Sequence, residues 1–256
     1  MSQLESIHQH LCTLRMPTAV EIVSDLLETA AREDWSSDAF LAELLDQEIE
    51  GRRQRRIARL QRASRLPAGK TLASFDQERL PLRLRRQLKQ VCNADFVDRA
   101  ENLLVFGLPG RGKTHFAAAV GHELVQQGRS VLFTPTYRLV DELLRAKRDL
   151  LLEQQLRHLD RFEVLILDDI GYVQQSQDEM EVLFTLLAER YEMRSVLITS
   201  NLVFAKWNTI FKDDMTTSAA IDRLVHHSTI LELNTESYRI ATAKEKKLTV
   251  KSEDIM

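Results

Sequence analysis

The chain has 256 residues, room for one large domain or a medium domain plus a small one, and its 44% apolar content excludes wholesale disorder. A formal charge of −3, from 35 basic and 38 acidic residues, argues against a uniformly basic nucleic-acid coat. Two cysteines, Cys12 and Cys92, rule out a disulfide framework, and no basic-then-apolar leader or membrane-length apolar run is read, so a reduced cytoplasmic chain is expected.

The average charge hides a division. Residues 1–50 hold 2 basic and 11 acidic residues, whereas residues 51–99 hold 14 basic and 4 acidic ones. The acidic block reads as helical. Leu4, Ile7, Leu11 and Leu14 share a helix face, Pro17-Thr18 breaks and restarts the chain, and Ile22, Val23, Leu26, Leu27 and Ala30 form a second stripe. Ser36 or Ser37 can cap a third helix carrying Phe40, Leu41, Leu44, Leu45 and Ile49. Gly51–Arg65 then carries seven arginines and no acid, and can extend that helix. Pro67-Ala68-Gly69 marks a linker. The expected division is an N-terminal helical domain over 1–66 and a second domain over 67–256.

In the second domain, apolar runs at 103–106, 131–133, 164–167, 195–199 and 229–233 alternate with amphipathic helices. That pattern predicts an α/β fold with a parallel sheet and helices on both faces.

The strongest chemical signal follows the first run: Gly107, Leu108, Pro109, Gly110, Arg111, Gly112, Lys113 and Thr114, with His115 next in the following helix. Glycines let the backbone turn so that successive N–H groups face phosphate oxygens, and the helix adds its positive end. Lys113 is placed to reach the β- and γ-phosphates of ATP, and the Thr114 hydroxyl to ligate Mg2+. The run 164–167 ends in Asp168 and Asp169. A parallel strand delivers both to the edge that bears the loop, Asp168 for the metal and Asp169 for the attacking water. The run 195–199 ends near Asn201, which can hold that water or cap a turn. Arg223 precedes the last run, either as an arginine acting across a subunit boundary or as a surface ion-pair partner; Arg239, after that run, is a weaker candidate for a nucleotide sensor.

GLPGRGKT, LILDDIGY, LITSNL, IDRLVHHS and ESYR, in this order, resemble the IstB family of transposition helper ATPases, relatives of the DnaC helicase loaders within the AAA+ ATPases. The stretch LAELLDQEIEGRRQRRIARLQRASRLP is similar as well, so the resemblance runs from about residue 10 to 240. It implies a P-loop AAA+ domain without a substantial lid and a small all-α N-terminal domain. It also implies homo-oligomers with ATP between subunits, Asn201 as the first sensor and Arg223 as an arginine finger. The activity implied is hydrolysis of ATP to ADP and phosphate by a regulator that assembles on duplex DNA and recruits a partner transposase, in a bacterial cytoplasm. Two other roles stay open: a helicase loader, and a nucleotide-gated DNA scaffold with negligible turnover. The residue after the metal-binding aspartate is often Glu in such proteins and is Asp169 here, one methylene shorter, which points to slower or water-mediated hydrolysis.

For DNA, Arg52, Arg53, Arg55, Arg56 and Arg59 offer phosphate contacts without aromatic interleaving, hence without base stacking. The alternative is that this belt pairs with the acidic helices. Arg138, Arg145 and Lys147, in the helix after the second strand, form a second basic candidate or an ordinary solvated face. His8, His10 and Cys12 share no common helix face, His226 and His227 read as flanking the last strand rather than as ligands, and Trp207 reads as packing.

Overall fold

A computed structural model describes residues 2–170, 176–202 and 224–234. The chain divides into two compact units, Met1–Arg59 and Leu60–Met256.

The first unit is helical: α1 (Gln3–Thr13), α2 (Pro17–Arg32) and the greater part of α3 (Ser37–Ala63). Each start has a local cause. Ser2 and Glu5 form a reciprocal capping box on α1. Pro17, at the first position of α2, lacks the N–H that would have no helical partner there anyway. The Ser36 hydroxyl accepts from the Ala39 N–H at the start of α3. Leu11, Ala19, Val23 and Leu44 form the small core, flanked by Ile7, Val20, Leu26 and Phe40. One acid is buried with them. Glu48 is 3% exposed, and its Oε2 accepts from the Ala19 N–H at 3.0 Å, capping α2 from a different helix. Its Oε1 accepts from Arg52 Nε at 2.7 Å and pairs with Arg55 at 3.2 Å. Burial pushes the Glu48 carboxyl up, but the Arg52 and backbone hydrogen bonds outweigh it and hold the group below its ordinary value. The arginine-rich run does prolong α3, as far as Ala63.

The second unit holds α4 (Leu82–Cys92), α5 (Asp95–Asp98), β1 (Asn102–Phe106), α6 (Lys113–Gln126), β2 (Val131–Pro135), α7 (Thr136–Arg148), α8 (Leu152–Leu159), β3 (Val164–Asp168), α9 (Gln177–Arg190), β4 (Ser195–Ser200) and β5 (Ser228–Glu232). Among the described residues the five strands form one parallel sheet in the order β2-β3-β4-β1-β5. Every residue of β1 and β4 is buried, as expected for central parallel strands covered on both faces. Leu104, Phe106, Leu132, Leu165, Leu167, Val196 and Ile198 pack with α7, α8 and α9 in one cluster. α6 packs on β1 to β4, and α4 packs on α6. Leu60–Leu66 belong with this unit, where the Ser64 carbonyl accepts from the Phe133 N–H at 2.7 Å.

At the edge where the strands begin, Arg190 is 2% exposed and donates to the carbonyls of Leu159, Phe162, Glu163 and Ser195 at 2.9–3.3 Å. Burial pushes its guanidinium down to about 10, which leaves it charged at neutral pH. Among the described residues no helix is long and apolar enough to cross a membrane.

Candidate functional site

The loop 107–112 joins the end of β1 to the start of α6. The Gly107 N–H donates to the Ser200 carbonyl on β4 at 3.2 Å. A Cβ on Gly107 would lie 2.8 Å from the Leu233 carbonyl oxygen, so the exit of β5 leaves no room for a side chain there. Gly112 adopts φ +87° as the N-cap of α6, a left-handed conformation that glycine takes without strain, and it supplies no side-chain cap. The first helical hydrogen bond is Phe116 N–H to Gly112 carbonyl, at 2.8 Å. The N–H groups of Lys113, Thr114 and His115 therefore precede the helical ladder, at the positive end of α6 that favours an anion. Lys113 is 8% exposed, and its Nζ donates to the Leu108 carbonyl at 3.2 Å, which holds the ammonium over the loop. The ammonium of a buried lysine, a helix start without a side-chain cap and a glycine-rich turn together fit a bound phosphate chain.

The neighbouring strands end in the acids and the amide. Strand register sets Leu167 opposite Ile198, so Asp168 and Thr199 follow side by side at the same edge. The Thr199 hydroxyl, fully buried, donates to Asp168 Oδ1 at 2.7 Å and accepts from the Asp169 N–H at 2.8 Å. The Thr136 hydroxyl donates to the Asp168 carbonyl at 3.0 Å. Asp169 has φ +61°, a conformation uncommon for a residue with a Cβ, and the Thr199 contact helps to hold it there. Asn201 follows Ser200, the residue paired with Phe106 at the foot of the loop. Its Oδ1 is buried without a hydrogen-bond partner among the described residues. A buried amide oxygen with no partner costs free energy unless a water or ligand meets it. The sheet thus brings the loop, Asp168, Asp169 and Asn201 to one edge, with β4 between the strands that carry the loop and the acids.

Thr199 and the segment Thr71–Phe75 belong to this region and carry no sequence motif of their own. His115 Nε2 lies 3.1 Å from Ser74 Oγ and 3.2 Å from the Thr71 carbonyl, and the Phe75 ring meets the imidazole edge-on at 5.1 Å. Burial lowers the pKa of His115, partly offset by the Thr71 contact. The imidazole is committed to this segment, so the backbone N–H is what His115 offers the loop. Leu108 and Pro109 are exposed, and Arg111 is half-buried.

The basic candidates separate into groups. Arg52, Arg53 and Arg55 form ion pairs with Glu48 and Glu50, although each side chain remains about half-exposed. Arg56 and Arg59 are exposed on the same helix. On α7, Arg138 and Arg145 are exposed, Arg138 lying over the Tyr137 ring, whereas Lys147 is tied to Asp178 and Glu181 of α9. Arg223, Arg239 and Trp207 lie outside the described residues.

Comparison with known proteins agrees with this geometry. The model of the IstB-like ATP binding protein family matches residues 9–246. A putative insertion sequence ATP-binding protein of Sinorhizobium fredii is 45% identical over 235 residues, 91% of this chain and 79% of that one. The insertion sequence IS21 putative ATP-binding protein of Pseudomonas aeruginosa is 41% identical over 247 residues, 96% of this chain and 91% of that one. Among solved structures, DnaI matches with a TM-score of 0.55 at 20% identity, over 66% of this chain and 95% of that one. AMPPCP-bound DnaA from Aquifex aeolicus matches with a TM-score of 0.55 at 18% identity, over 72% of this chain and 57% of that one. The structural matches show the fold, a P-loop AAA+ α/β domain, here joined to a small helical N-terminal unit. With a family model covering most of its length and relatives above 40% identity, the chain belongs to the family of IstB-like ATP-binding proteins of IS21-type insertion sequences.

Proposed function

We propose that this protein is an ATP-hydrolysing, DNA-binding regulator of transposition that assembles as a homo-oligomer on duplex DNA and recruits a partner transposase. The observation that carries the ATPase reading is the convergence of the 107–114 loop with Asp168, Asp169, Thr199 and Asn201 at one edge of the sheet. The loop N–H groups and Lys113 hold the β- and γ-phosphates of ATP. Thr114 and Asp168 hold Mg2+, which when bound neutralises charge on those phosphates. Thr199 fixes the Asp168 carboxylate, so the metal ligand does not need to be ordered on binding. The Asn201 oxygen, buried without a partner among the described residues, orients the attacking water, and Asp169 accepts its proton. Arg223 of an adjacent subunit faces the transferred phosphoryl group, a role worth roughly 10³–10⁵ in rate where it operates.

Exposed arginines of α3 and α7 meet the DNA backbone, and phosphate contacts of that kind carry no sequence readout. The named relatives belong to insertion sequences, which supports transposition as the setting. Steady-state ATPase measured with and without duplex DNA tests the reading. Turnover stimulated by DNA, and lost in Lys113→Ala and Arg223→Ala, is expected. Turnover unchanged by both substitutions would remove the site assignment, and negligible turnover with intact ATP-dependent DNA binding would leave a nucleotide-gated scaffold.

A further inference from the structure

At the opposite edge of the sheet, where the strands begin, three side chains of metal-ligating type meet. Tyr191 and Glu192 lie in the turn between α9 and β4, and His226 and His227 lie immediately before β5. One ligand atom from each of Glu192, His226 and His227 lies within 4.8 Å of the others, the only such group of three among the described residues. His227 Nε2 is 3.2 Å from Glu192 Oε1, and the two imidazoles sit edge to face with centroids 4.3 Å apart. The Tyr191 hydroxyl lies 3.2 Å from His226 Nδ1. A hydrogen bond to one ring nitrogen fixes the orientation of the other, as in the outer shell of metal-bound histidines, and here it leaves Nε2 for a ligand. Glu192 sits at φ +58°, a backbone conformation that costs free energy for a residue with a side chain.

We propose that Glu192, His226 and His227 form a binding site for one divalent transition-metal ion of the Zn2+ class, with water completing the coordination. An exposed His–Glu contact contributes little stability by itself. Two imidazoles and a carboxylate suit Zn2+, Cu2+ or Ni2+ in preference to Mg2+, so this site differs in chemistry from the one at Thr114 and Asp168. Bonds near 2.1 Å bring tetrahedral ligands to about 3.4 Å from one another. The three side chains are exposed, and rotamer shifts of about 1 Å close that gap without repacking a core. Once bound, the ion ties the turn ahead of β4 to the turn ahead of β5, on the two sides of the first residues of β1. The first turn leads into β4, which Asn201 follows, and the second comes three residues after Arg223.

The test uses the full chain, freed of metal with a chelator and titrated with Zn2+ alone by calorimetry. Co2+ substitution supplies a visible spectrum that reports tetrahedral coordination. One equivalent of Zn2+ is expected, with affinity at least tenfold weaker in each of Glu192→Gln, His226→Asn and His227→Asn, and with the Co2+ spectrum lost in each. Far-ultraviolet circular dichroism checks that the variants, all at exposed positions, keep their fold. Uptake that is equal in the wild type and all three variants places the ion elsewhere and overturns the proposal. No uptake by the wild type with the ion in roughly tenfold excess overturns it as well.

Discussion

Thr199 does two things with one hydroxyl: it donates to the Asp168 carboxylate and accepts the Asp169 N–H. Valine matches its shape and its preference for a strand, so Thr199→Val removes the hydrogen bonds and little else. The substitution removes the Thr199 acceptor from the Asp169 N–H and lets the Asp168 carboxylate rotate. Loss of a group that orients a metal ligand typically lowers activity or metal affinity about 10- to 100-fold. Thr199→Val is expected to lower kcat for ATP by about that factor and to raise the Mg2+ concentration needed for half-maximal turnover, while Thr199→Ser restores both. A Val variant with unchanged kcat and unchanged Mg2+ dependence would show that the hydroxyl only packs. In sequence this residue is one polar position in LITSNL. Its role depends on β4 lying beside β3, which the order of residues along the chain does not reveal.

The elements themselves were legible, because each rests on short-range physics. Continuous apolar runs bounded by polar residues located each of the five strands among the described residues, and glycine spacing after the first located the loop. The contacts that close the structure were not legible. Arg190 reads as an ordinary helix-end cation and instead gathers carbonyls up to 31 residues away. His115 reads as the first residue after the loop motif and instead anchors a segment more than 40 residues upstream. Glu48 is the clearest example. In sequence it is one acid among eleven, and in the fold it caps α2 across 29 residues while pairing with two arginines. Its lowered pKa fixes the sign of a pH effect: the stabilisation is complete above the unfolded-state value and is lost as pH falls through the folded-state value. Glu48→Gln is expected to cost about 1–3 kcal/mol at neutral pH, the range for a buried hydrogen-bonded charge. The variant is also expected to show a shallower loss of stability in acid than the wild type. Hydrogen exchange of the Ala19 amide locates the effect at the start of α2. Unchanged protection there would mean that the Glu48 carboxylate is not what holds that helix end.

At the scale of the whole molecule, the −9 block and the +10 block are neighbours in sequence, and part of the basic excess is already met by acids of its own helix. Arg52, Arg53 and Arg55 each pair with Glu48 or Glu50. A counterion is released on DNA binding only where a cation replaces it at a phosphate, so arginines already engaged with carboxylates contribute less to the salt dependence of binding. Arg59, exposed one turn beyond Arg55 on α3, is then the one expected to act on DNA. Each phosphate contact adds about −0.9 to the slope of log K against log salt on duplex DNA. Arg59→Gln is therefore expected to flatten that slope by about 0.9 per subunit engaged. Arg53→Gln is expected to flatten it by clearly less than one contact. Fluorescence anisotropy of a labelled duplex, titrated at a series of salt concentrations with ATP and Mg2+ present, supplies the slopes. If Arg59→Gln matches the wild type while Arg53→Gln falls, the ion pairs of α3 open on binding and the DNA-facing residues are the paired ones. If neither slope changes, α3 is not a DNA surface, and the exposed arginines of α7 become the ones to replace.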